Sequence, residues 1–107
     1  MILNIKPFST NDMWQGRRFM TNEYKQWREE VLLLLKNHPK NLDPPYKLTA
    51  TFHSNYDLSN NIKSIEDAIV KAGIIKDDRY IVEMHIKKAK AKRGEEFIDF
   101  MIESIAQ

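Results

Sequence analysis

Apolar side chains recur along this chain in two rhythms, and the alternation between them lays out its elements. Tyr46 to His53 (YKLTATFH) has period two, with Tyr46, Leu48, Ala50 and Phe52 opposite Lys47, Thr49, Thr51 and His53, which predicts a half-buried strand. Tyr80 to Lys87 repeats that rhythm, with Tyr80, Val82, Met84 and Ile86 on one side. Helical spacing appears twice. Tyr24, Trp27, Val31, Leu34 and Leu35 form one stripe, in a helix that Thr21 or Asn22 can cap and that runs to about Asn37. Ile62, Ile65, Ile69 and Ala72 form a second stripe, ending at Gly73, which is placed to terminate the helix in a left-handed conformation with Ile74 and Ile75 folding back on its end.

The remaining segments are weaker signals. Ile2 to Phe8 reads as a short strand limited by Pro7, and Ser9 to Met20 as a polar loop. Pro39, Pro44 and Pro45 mark a linker, and Lys76 to Arg79 a turn. Glu95 to Ser104 satisfies both rhythms, since Ile98, Phe100 and Ile102 alternate while Phe97 and Met101 lie four apart; the dominance of Ile and Phe after Gly94 favours a strand. The order β-α-β-α-β-β predicts an α+β fold: a small single domain, residues 1–107, with two helices packed on a mixed β-sheet.

Composition narrows the class. A chain of 107 residues, 42% apolar and 30% charged, supports one hydrophobic core. The absence of cysteine excludes a disulfide framework and a thiolate metal site, and fits a reducing cytoplasm. The opening MILNIKPFST lacks the pattern of a secretory leader, and the longest apolar run, Val31 to Leu35, is far short of a membrane span. A net charge of +2 says little about polyanions, but its distribution is uneven. Lys87, Lys88, Lys90, Lys92 and Arg93 fall within seven residues without an acid, and Arg17, Arg18, Lys25 and Arg28 form a looser basic group. Acids gather at Asp57, Glu66, Asp67, Asp77, Asp78 and Glu83. Basic margins beside an acidic patch suit a phosphate backbone carried over a metal site, although a charge run is most often a solvated face.

Asp57 lies at the mouth of the second helix and Asp77 and Asp78 in the turn before the next strand, so the returning helix can bring Asp57 toward Asp78. Clustered carboxylates relieve their repulsion on a hard cation such as Mg²⁺, which binds through one or two carboxylates, water and phosphate. The plain alternatives are a helix cap for Asp57 and turn-forming residues for Asp77 and Asp78. Lys63 follows Ser59 by four residues and precedes Asp67 by four, on one polar helix face. It reads either as a surface ion pair with Asp67 or as a fixed charge for a phosphoryl transition state. His38, His53 and His85 have no metal-ligand spacing, and no Gly-rich phosphate loop is present. Trp14 and Trp27 can stack on bases, but Trp27 belongs to a core stripe, the commoner use.

The series Asp57-Leu58-Ser59-Asn60-Asn61-Ile62-Lys63, Glu66-Asp67-Ala68-Ile69, Gly73-Ile74-Ile75 and Lys76-Asp77-Asp78 resembles the core of the RusA family of Holliday-junction resolvases. Pro7-Phe8-Ser9-Thr10-Asn11, the helix start near Glu23-Tyr24-Lys25, and Lys88 extend the likeness over most of the chain. The resemblance implies a homodimeric, Mg²⁺-dependent endodeoxyribonuclease of a kind often encoded by phages and prophages, active in the cytoplasm on four-way branched DNA in recombination and repair. A two-fold dimer would present two sites to a two-fold substrate. It implies Asp57 and Asp78 as metal ligands and catalytic residues, with Asp77 a lesser metal candidate and Lys63 the catalytic or phosphate-contacting lysine. Lys87, Lys88, Lys90, Lys92 and Arg93 would bind DNA with Lys63. Ser59 departs from the pattern, standing where the family has a second acid. Two alternatives therefore remain beside the enzyme: a non-catalytic junction-binding protein, and a scaffold whose acids are only caps and turns.

Overall fold

In the computed structural model of the protein, residues 1–16 and 19–106 are described; Arg17 and Arg18 of the expected basic group lie outside them. The centre of the sheet is β4 (Tyr46–His53), whose alternation is realised residue by residue: Tyr46, Leu48, Ala50 and Phe52 are buried and the residues between them half-buried. On one side β4 pairs in parallel with β5 (Ile81–Ala89), on the other antiparallel with β6 (Phe97–Ser104), and β6 carries the two-residue β1 (Ile2–Leu3) at the far edge. The ambiguous C-terminal segment is thus a strand, with Ile98, Phe100 and Ile102 inward.

Both helices cover the same sheet face. In α1 (Asn22–Leu34) Tyr24, Trp27 and Val31 are buried, and in α2 (Leu58–Lys71) Ile65, Ala68 and Ile69 join them with the inward strand residues in one core. Thr21 caps α1 by accepting the Tyr24 N–H at 3.2 Å. The helix stops three residues before the expected Asn37 because its last turn tightens, Lys36 N–H reaching Leu33 O, and Pro39 disfavours a helical residue before it. At the end of α2, Gly73 takes φ +77°, its N–H reaches Val70 O at 3.0 Å, and Ile74 N–H reaches Ile69 O at 3.1 Å. Those paired bonds are the left-handed helix stop read from the sequence, and they turn Ile74 and Ile75 into the core. The α+β class and the β-α-β-α-β-β order of the main elements therefore hold.

Leu34 and Met84, expected on apolar faces, are exposed, and three segments differ from expectation. Ser9 to Met20 is not simply a loop: a 3-10 turn at Thr10–Asp12 precedes a hairpin of β2 (Trp14–Gln15) and β3 (Phe19–Met20), strands too short for their alternation to register. At the N-terminus the strand covers only Ile2–Leu3; Ile2 is exposed while Leu3 and Ile5 are buried. In β5 the phase shifts, since Tyr46 pairs with Ile81 but Lys47 with Glu83. The extra residue, Val82, therefore leaves the inward set and is exposed, while Tyr80 falls in the 3-10 turn Asp78–Tyr80.

One buried group conflicts with its surroundings. Asn61 is fully buried in α2, and neither its Oδ1 nor its Nδ2 has a hydrogen-bond partner among the described residues. Its neighbour Ser64 is satisfied, donating to Phe8 O at 2.9 Å. Asn61→Leu, nearly the same shape without the unpaired amide, should raise stability by about 1–3 kcal/mol in urea unfolding. A loss of stability would mean that the amide is paired in solution.

Candidate functional site

Asp78 reaches its place through a sequence of fixed points. The helix stop at Gly73 reverses the chain, Asn41 N–H and Leu42 N–H bond Gly73 O and Ile74 O, and the Tyr46 hydroxyl both donates to Leu42 O at 2.7 Å and accepts Lys76 N–H at 3.2 Å. With residues 73–76 held on both sides, the following Asp78 carboxylate meets the middle of α2. There the Lys63 ammonium lies 3.1 Å from Asp78 Oδ2 and 3.3 Å from Asp67 Oδ1. The Tyr24 hydroxyl, from α1, donates to Asp67 Oδ2 at 3.4 Å. These groups line a cleft of about 360 Å³, with Trp14 and Met20 contributed by the hairpin, Arg28 by α1 and Lys71 by α2.

Charge is closely matched in the cleft. Burial works against the Lys63 ammonium, but its bonds to Asp78 and Asp67 outweigh that cost and hold its pKa above the ordinary lysine value. The Tyr24 hydroxyl is pushed up to about 12 by burial and by the charge of Asp67, so it stays a proton donor throughout the neutral range. Glu66, half-buried beside this group, is raised first by burial and then by the negative charge of Asp78. Asp77 is lowered, chiefly by the Arg79 N–H that its Oδ1 accepts at 3.0 Å.

The expected site residues are only partly assembled. Lys63 and Asp78 are in contact, and Asp77 adjoins them, although its carboxylate caps the 3-10 turn. Asp57 stands at the N-terminus of α2 with no side-chain capping bond, and is exposed. It precedes Lys63 by six residues, roughly 9 Å along a helix axis. Among the described residues no three Asp, Glu, His or Cys side chains form a group that could hold a metal ion. A closed protein cage therefore does not fit, whereas Mg²⁺ held through one or two carboxylates, water and phosphate suits the oxygen donors present. The basic run lies apart from Asp78: Lys87 and Lys88 are far along β5, about 20 Å from its start at strand rise. It approaches the Asp57 end of α2 instead, where Asn55 Nδ2 donates to Ala91 O at 3.3 Å.

Sequence reading missed the parts of the cleft that come from elsewhere. Tyr24 reads as core; Asp67 belongs to the acidic group and Arg28 to the looser basic group, but neither these nor Lys71 carries a local signal of convergence on Asp78. The i, i+4 spacing of Lys63 and Asp67 was the one usable hint.

A helix-covered mixed sheet with a lysine–carboxylate cleft defines a small α+β domain. The family model for endodeoxyribonuclease RusA matches residues 47–100, half of the chain, and covers Asp57, Lys63, Asp78 and the basic run. The chain belongs to the RusA endodeoxyribonuclease family. Comparison with curated proteins gives no match. Among the described residues no helix is long and apolar enough to cross a membrane.

Ionised Glu66 opposes folding. Below the ordinary glutamate range the carboxyl is protonated in folded and unfolded chains alike and the penalty vanishes; it grows as pH rises and is complete above the raised folded value. Glu66→Gln should therefore raise the thermal midpoint at neutral pH, with the gap to the parent closing as pH falls toward about 3. A gap independent of pH would remove the electrostatic cause.

Proposed function

We propose that this chain is a Mg²⁺-dependent, structure-selective endodeoxyribonuclease that resolves four-way DNA junctions by paired phosphodiester hydrolysis. The observation that carries this reading is the Lys63 ammonium bonded to Asp78 inside a cleft, within the segment that matches the family. Residues 1–107 are taken as one catalytic domain and the working form as a homodimer, whose two-fold axis suits a two-fold substrate. Its compartment is that of its substrate, the cytoplasm of a bacterium or of a phage-infected host.

Asp57 and Asp78, with Asp77 as a further donor, would hold the metal. When bound, the ion supplies Lewis-acid charge to the scissile phosphate and makes the attacking water more acidic. Lys63 places a fixed positive charge where the phosphoryl oxygens gain negative charge, so it stabilises the transition state more than the ground state. Asp67 and Tyr24 hold that ammonium in place. Lys87, Lys88, Lys90, Lys92 and Arg93 bind the backbone beyond the Asp57 end of α2, neutralising phosphates without reading sequence.

A second reading is favoured by Ser59, a neutral hydroxyl where the family pattern has a second acid: a junction-binding protein without cleavage. A labelled four-way junction and a matched linear duplex, each with and without Mg²⁺, separate the two. Symmetric nicks in the junction alone, dependent on Mg²⁺, support the enzyme. Tight junction binding with no nicks in any divalent metal supports the binding protein.

Asp78→Asn should lower nicking by about 100-fold or more while junction binding stays equal or tightens, because a ligand and a repulsive charge are both removed. Nicking at the parental rate would end the assignment of Asp78. Charge reversal across Lys87 to Arg93 should weaken DNA binding and reduce the slope of log affinity against log salt by about one for each phosphate no longer neutralised. An unchanged slope would take this segment out of the interface.

A further inference from the structure

The two tryptophans are used in opposite ways. Trp27 is core: its Nε1 donates to Lys6 O at 2.7 Å, and its ring packs beside Phe8 and Tyr24. Trp14 is 48% exposed, on the β2–β3 hairpin. Its cross-strand partner is Met20, so the two side chains share the hairpin face, and both line the cleft that holds Lys63 and Asp78. Arg28 fixes that edge, its guanidinium 3.6 Å from Met20 Sδ.

The base of this hairpin is held firmly. Met13 is fully buried, Thr21 N–H reaches Met13 O at 3.0 Å, and the Thr21 hydroxyl donates to Asp12 O at 2.6 Å. The Thr10 hydroxyl ties the preceding turn to α2 through Asn60 O at 3.1 Å. Trp14 is thus a large aromatic surface on a fixed support, left in water at the rim of a cleft where Lys63, Arg28 and Lys71 face Asp67, Asp77 and Asp78. Flat apolar rings beside cations suit unstacked bases attached to phosphate, since every base offers a π-face and stacking is worth about 1–3 kcal/mol. Continuous duplex keeps its bases stacked inside the helix, whereas a branch point interrupts the stack.

We propose that Trp14 is the residue that distinguishes branched from linear DNA, stacking on a nucleobase left unstacked at the branch while the Lys63–Asp78 cleft beside it receives the adjoining phosphodiester. This rests on the reading of the chain as a nuclease for branched DNA. Phe19, on the opposite hairpin face, is not part of the contact.

The test compares the parent, Trp14→Ala and Trp14→Phe for binding to a four-way junction and to a linear duplex of the same sequence. Circular dichroism and thermal midpoints serve as the check of folding. Trp14→Ala should lose about 10-fold in junction affinity with duplex affinity unchanged, and Trp14→Phe should retain most of it. Tryptophan emission gives an independent readout. The junction should quench the parent, whereas Trp14→Phe, emitting from buried Trp27 alone, should not respond. Full junction preference in Trp14→Ala, or parental emission unchanged by saturating junction, would overturn the role of Trp14 and leave the nuclease reading standing. A parent without preference for junction over duplex would overturn both.

Discussion

The reversal of the chain at Gly73 is the constraint on which the cleft depends. Only a residue without Cβ takes φ +77° at little cost, and that conformation both ends α2 and turns Ile74 and Ile75 into the core. Burial of those two isoleucines then fixes the direction in which residues 76–78 leave. The Tyr46 hydroxyl adds a second tether from the first residue of the central strand, bonding Lys76 N–H. Because the tethers belong to the core, the 3.1 Å approach of Lys63 to Asp78 is set by packing before electrostatics contributes.

Within the cleft, electrostatics acts on groups that packing has already brought close. Glu66, Asp67, Asp77 and Asp78 would repel one another if left alone; Lys63 bridges two of them, and Arg79 N–H bonds a third. Exposed ion pairs contribute little to stability, and Lys63 is itself half-exposed, so this arrangement is better understood as positioning charge than as holding the fold together. It leaves the Lys63 ammonium with a defined location at an accessible surface.

The layout of charge along the molecule also bears on how DNA would lie. The sheet separates Asp78, before the start of β5, from the basic run at its far end. Along α2, Asp57 stands nearer the basic end and Lys63 lies closer to the cleft. Positive charge stands at both ends, in Arg28 and Lys71 beside the cleft and in Lys87 to Arg93 at the far end of β5 and beyond. The hairpin borders the cleft and adds the one large exposed indole.

Periodicity made the central strand, both helices and the stop at Gly73 legible, because each is a local pattern whose buried face repeats. The spacing within α2 likewise put Lys63 and Asp67 on one face, and the ordered series from Asp57 to Asp78 carried the family resemblance. The two-residue strands were illegible because they are shorter than one full alternation, and the shift at Val82 because a bulge changes phase without leaving a local mark. The sequence by itself determined both helices, the longer strands and the run of charged residues that carries the family resemblance. Tertiary structure alone decided that Tyr24, Arg28 and Trp14 border the same cleft as Asp78, and that Asp57 is not among the residues lining it. Those relations join positions distant in the chain, and only the packing of α1, α2 and the hairpin fixes the distances between them.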